Sequence, residues 1–177
     1  MNLSVKGILT GAGLALVGLS GSARAQATPA TASIQATATV ATALTATPVQ
    51  NLDFGATFGG IARTVLPADA TSGEFTLTGG ADAEVSVTFP TPPASLTGPV
   101  GSTPIPIAFG AASGGHNIAG TRAGATSFDP SVALVTRLDA TTGNLSVYLG
   151  GTVSPAANQM AGSYANTINL SAAYTGN

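Results

Sequence analysis

Residues able to do chemistry are few in this 177-residue sequence, and their spacing limits what they can do. His116 is the single histidine, set in the loop-like run Gly114-Gly115-His116-Asn117. A nucleophile relay would also need a positioned hydroxyl or thiol and an orienting carboxylate. No Gly-x-Ser-x-Gly elbow is present, and the absence of cysteine removes thiol catalysis, thiolate zinc sites and disulfides together. His116 therefore reads as an exposed loop histidine. Asp53-Phe54-Gly55 spells the magnesium triplet of protein kinases, but no glycine-rich ATP loop, strand lysine or His-Arg-Asp accompanies it, so it reads as a strand end with a turn glycine. Asp82 and Glu84 lie two residues apart beside Gly79-Gly80, on one face of a strand. Without an Asp-x-Asp-x-Asp-Gly calcium loop they read as solvated edge charges rather than cation ligands. The expectation is a non-catalytic protein with no cofactor and no metal.

The N-terminus explains where such a protein would work. Met1 to Lys6 is a short positive stretch, Gly7 to Leu19 is apolar, and Ala23-Arg24-Ala25 is a small-residue cleavage site. This is the pattern of a secretory signal peptide over residues 1–25. A membrane span needs roughly 20 apolar residues, so no transmembrane anchor is expected after cleavage. Residues 26–177 are expected to form one exported domain, destined for the periplasm, the cell surface or the medium. That portion keeps three arginines (Arg63, Arg122, Arg137) against seven carboxylates and has no lysine. With no basic stripe to neutralise phosphates, nucleic-acid binding is not expected.

The elements that would position any site are strands. Good helix formers other than alanine are sparse, while Thr, Val, Gly and Ser abound. Residues 30–40 alternate strictly, with Ala32, Ile34, Ala36, Ala38 and Val40 on one parity and Thr, Ser or Gln on the other. A period of two is the mark of a half-buried strand. The alternation returns around Phe75 and Leu77, Val85 to Phe89, Ile105 to Phe109, Val132 to Leu138, Leu145 to Leu149, and Tyr164 to Tyr174. Turn formers such as Gly79-Gly80, Pro92-Pro93, residues 111–115 and Gly143-Asn144 separate these runs. About seven short strands with such punctuation predict an all-β antiparallel sandwich.

Three stretches add a resemblance: Ala36 to Val40 leading into Leu52-Asp53-Phe54-Gly55, the run Leu145 to Val153, and Asn158 through Gly162-Ser163-Tyr164 to Tyr174. Together they resemble the bacterial domain-of-unknown-function family 4402, with echoes of the spore coat protein U and chaperone-usher pilin groups. The likeness implies an immunoglobulin-like, pilin-like sandwich that lacks one strand and is completed by the alternating N-terminal extension of the next subunit. On that basis residues 28–44 are a donor or first strand, with Ala32, Ile34, Ala36, Ala38 and Val40 facing the receiver. Gly162, Tyr164, Ile168, Leu170 and Tyr174 then form the C-terminal strand that a periplasmic chaperone would cap. The implied partners are further copies of the chain, as a polymer, and that chaperone. The implied role is a secreted structural subunit of a fimbria-like filament or coat. The alternative is a stand-alone secreted adhesin or carbohydrate-binding module, for which Phe58 and Phe128 are the candidate loop aromatics. An outer-membrane barrel is disfavoured by short strands and by nine aromatics for two girdles.

Overall fold

A computed structural model of the chain describes residues 30–38 and 42–176, so the proposed signal peptide and, within the alternating segment, Val40 lie outside the described residues. The chain divides into two units at Ala38. Residues 30–38 form no strand and every one is exposed, Ile34 at 96%. The half-buried strand expected there is absent, because alternation sets which side would be buried but cannot supply the partner that buries it. Among the described residues no helix is long and apolar enough to cross a membrane.

Residues 42–176 are all-β, with twelve strands and no helix among the described residues. They are β1 (Thr45–Gln50), β2 (Arg63–Val65), β3 (Gly73–Thr78), β4 (Glu84–Thr88), β5 (Ser95–Leu96), β6 (Ile105–Ala108), β7 (Gly114–Asn117), β8 (Thr126–Phe128), β9 (Leu134–Arg137), β10 (Asn144–Leu149), β11 (Gly151–Val153) and β12 (Ser171–Tyr174). They pair antiparallel in three sheets: β1-β3-β10-β7-β8, β2-β11-β6-β5 and β12-β4-β9. The outcome is the expected all-β sandwich. Its strands outnumber the seven expected because several are only two to four residues long, too short to show an apolar period.

Two cores hold it. Leu77 of β3 and Leu145, Val147 and Leu149 of β10 face Val85 and Val87 of β4, with Phe89 and Leu138 closing the layer. Burial of such side chains stabilises by about 1.5–3 kcal/mol each relative to exposure. Phe54, Val65, Ile105, Ile107 and Val153 form the second core, around the four-stranded sheet. The join between the two is Gly150, where β10 passes into β11 and so changes sheet.

β10 is buried on both faces. Its outward Tyr148 sits between Glu74 of β3 and Gly115 of β7 and is fully covered. The cover is Arg122, whose guanidinium lies 5.2 Å from the Tyr148 ring centre, reaches Glu74 at 2.7 Å and donates to the Ser72 hydroxyl and to Gln50 Oε1, both at 3.1 Å. One arginine thus pins the loop before β8 across three strands.

Gly114-Gly115, read from sequence as loop, is strand because larger residues cannot fit. A Cβ on Gly114 would stand 2.7 Å from the Phe128 ring, and one on Gly115 2.9 Å from Pro67. The continuous Tyr164 to Tyr174 strand is corrected as well: only Ser171–Tyr174 pairs with β4, and Ala165 makes a lone bridge to Thr97. β4 ends at Thr88 and the chain runs into Phe89-Pro90, so residues 166–170 have no ladder partner on that side.

Candidate functional site

A groove of about 1290 Å³ opens in the sandwich. Pockets for small molecules run about 300–1,000 Å³, so its size suits something longer than a metabolite. One wall is β1, whose six residues are all exposed and which pairs only with β3. Residues directly opposite in an antiparallel pair share a face, so Ala46 opposite Leu77 and Pro48 opposite Phe75 point towards the sandwich interior. Leu77 is fully buried, yet Ala46 and Pro48 are exposed. The inner face of β1 is therefore left uncovered.

The facing wall is residues 164–170. From Thr167 to Tyr174 the side chains alternate, with Ile168, Leu170, Ala172 and Tyr174 half-buried and Thr167, Asn169, Ser171 and Ala173 exposed. That is strand periodicity on a stretch whose ladder begins only at Ser171. The floor is apolar: Phe54, Phe75, Ile107, Leu149 and Val153. Phe58 and Met160, 71% and 48% exposed, stand at the mouth.

Polar atoms in the walls are bonded among themselves. Gln159 Nε2 donates to the Thr103 carbonyl at 2.6 Å and to the Tyr164 hydroxyl at 2.7 Å, and that hydroxyl donates to the Met160 carbonyl at 2.9 Å. Asp53 Oδ1 accepts from the Gly55 amide at 2.7 Å and Gly55 takes φ +63°, so the turn glycine expected there is present, but the strand end expected with it is not, since β1 stops at Gln50. What the groove offers is two walls of extended backbone above an apolar floor. That is the chemistry of strand recognition, in which main-chain bonds hold and alternate side chains select.

Of the residues expected to face a partner, Ala32, Ile34, Ala36 and Ala38 are exposed, and Val40 lies outside the described residues. Tyr164, Ile168 and Leu170 line the groove together with Gly162. Gly162 is required there by the close approach of Pro99, whose Cγ would stand 2.4 Å from an added Cβ. Tyr174 stands beyond the groove wall, in β12. Sequence reading missed β1, where Pro48 interrupts the apolar pattern; a proline inside a short Thr-rich stretch is itself a signal for an edge strand.

Other candidates resolve differently from their sequence readings. Asp82, in a turn at φ +57°, pairs with Arg137 at 3.4 Å, and Glu84 accepts from the Thr175 hydroxyl at 2.6 Å. No group of three or more metal-ligating side chains occurs among the described residues. Phe128 is not a loop aromatic. It packs in β8 with its ring centre 6.4 Å from that of Phe89 and 6.0 Å from His116.

His116 is likewise not an exposed loop residue but part of β7. It lines a smaller hollow of about 310 Å³ with Thr126, Thr136 and Arg137, and its Nδ1 is buried without a hydrogen-bond partner. Burial holds its pKa below the ordinary 6.5, against a smaller opposing effect of the Thr126 backbone. The folded chain therefore prefers neutral imidazole, and stability falls as pH drops below 6.5 while the unfolded chain takes up the proton. Asp129 and Asp139 are held low by hydrogen bonds from Ser131 and from Thr142 and Thr141, and act only below the carboxylate range. Between about pH 5 and 6.5 the melting temperature should fall in the native protein and fall less in His116→Gln; equal slopes would remove His116 as the cause.

Compared with known proteins, the chain matches no family model, no curated protein and no solved structure.

Proposed function

We propose that the chain is an exported structural subunit of a surface filament or coat, in which the alternating segment of one copy, with Ala32, Ile34, Ala36, Ala38 and Val40 inward, fills the groove of the next. The observation that carries this reading is the open inner face of β1: Ala46 and Pro48 point inward from a paired strand and both are exposed. The occupant they call for is an extended strand, and residues 30–40 have the required period. Ile34, 96% exposed, is free to enter such a groove.

Donation between copies is favoured over return to the same domain. No Gly, Asn, Asp or Pro occurs from residue 30 to residue 47, so the residues that make tight hairpin turns are missing before β1. A parallel return would need a crossover of a dozen or more residues, most of those between Gln26 and Thr42. Until a neighbour arrives, a periplasmic chaperone is the partner that would shield the groove. The role is structural, with no reaction assigned to it.

The test is a chain shortened to begin at Thr42, with and without a peptide of residues 28–41. The shortened chain should be monomeric and melt higher with peptide, by about 2.7 kcal/mol of stabilisation at a hundredfold excess over Kd. The longer chain from Gln26 should form a ladder of sizes. A shortened chain indifferent to the peptide, with a monomeric longer one, would remove the reading.

A further inference from the structure

The alternating segment joins the sandwich at residues 42–44, and one hydroxyl holds that junction. The Tyr174 hydroxyl donates to the Thr42 carbonyl at 2.8 Å and accepts from the Gly80 amide at 2.8 Å. Leu44 packs against the first core beside it. Gly79 makes the room, since a Cβ there would stand 2.4 Å from the hydroxyl oxygen. Tyr174 itself does not line the groove, whose wall ends at Leu170.

This inference rests on the donor reading. A segment that docks into a neighbour loses conformational freedom, and the loss is smaller when its root is already fixed. We infer that Tyr174 is a positioning residue for donation: its hydroxyl anchors the root from which residues 30–41 reach a second copy of this chain, and it takes no part in receiving a strand. Giving and receiving are then separable within one subunit. A tyrosine that merely supported the wall would affect both.

The separating experiment uses Tyr174→Phe in two full-length backgrounds. Receiving is measured as binding of a labelled peptide of residues 30–41 to the Ile34→Asp chain, whose own segment cannot compete. Donation is measured as the rate of ladder growth in the otherwise native chain. Peptide affinity should be the same with and without the Tyr174→Phe change, which also certifies the fold. Ladder growth should slow roughly fivefold, the equivalent of ordering about one backbone residue at the moment of docking. If both quantities fall together, or neither changes, Tyr174 has no positioning role. If the peptide fails to bind even the Ile34→Asp chain carrying Tyr174, the donor reading itself is wrong.

Discussion

Gly150→Ala is expected to destabilise the domain strongly. Gly150 is the single residue between β10 and β11, and an added Cβ would stand 2.2 Å from the Val65 carbonyl oxygen, 3.0 Å from the Leu66 carbonyl carbon and 3.1 Å from the Pro67 nitrogen. All three are backbone atoms, and the strand that carries Val65 cannot retreat because it pairs with β11, Gly151 opposite Val65. The Gly150 amide is itself tied to the Ser113 carbonyl at 2.8 Å. Overpacking typically costs about 1–3 kcal/mol where side chains can adjust, and here the obstacle is main chain, so about 3 kcal/mol or more is expected. Set against a total stability of about 5–15 kcal/mol, that lowers the melting temperature by roughly 10 °C or leaves the chain insoluble. Gly101→Ala is the control. Gly101 takes φ +83° with nothing within 4 Å, so alanine there meets only the left-handed backbone strain of about 1–2 kcal/mol. Equal losses in the two variants would show that the sheet corner is not closely packed.

Aspartate at position 34 is expected to leave folding untouched and to abolish assembly. Ile34 is 96% exposed and lies outside the strands, so the change falls within about 0.5 kcal/mol of neutral for stability. On the parity proposed to enter the groove, only Ile34 and Val40 carry more than a methyl group. Most of the apolar contact of a docked segment would come from these two. A carboxylate at position 34 would meet an apolar floor without a basic partner, a burial that costs several kcal/mol, so affinity should drop at least a hundredfold. Size-exclusion chromatography at fixed concentration reads the result, with Gln35→Asp as control because Gln35 lies on the opposite parity. Loss of assembly in both variants would point to charge alone, and persistence in both would exclude this face of the segment.

Strands with large side chains were legible from sequence for a simple reason. In β3, β4, β6 and β10 residues such as Leu77, Val85, Ile105 and Val147 repeat every second position and all four are buried. The fold class follows from them. What escaped reading had its cause outside the local sequence. β7 looks like a loop because Gly114-Gly115 carries no side chains, yet those glycines exist to admit Phe128 and Pro67 from elsewhere in the chain. His116 inherits a half-buried place from the same strand. Residues 164–174 read as one strand because their alternation is continuous, but pairing requires an edge alongside, and β4 stops at Thr88. The groove was legible only in part. Its C-terminal wall was named residue by residue, while β1 and the floor residues Phe54 and Leu149 become a site only when the five-stranded and four-stranded sheets come together.

Among the described residues the groove is lined by a single carboxylate, Asp53, already bonded to the Gly55 amide, and by no basic residue. The segment itself is uncharged, so nothing at the groove steers it, while the subunits that carry it, with three arginines against seven carboxylates after residue 25, repel one another at low salt and less as salt screens them. Growth of a filament built this way would quicken as salt screens that repulsion and, once it is screened, follow the local supply of subunits.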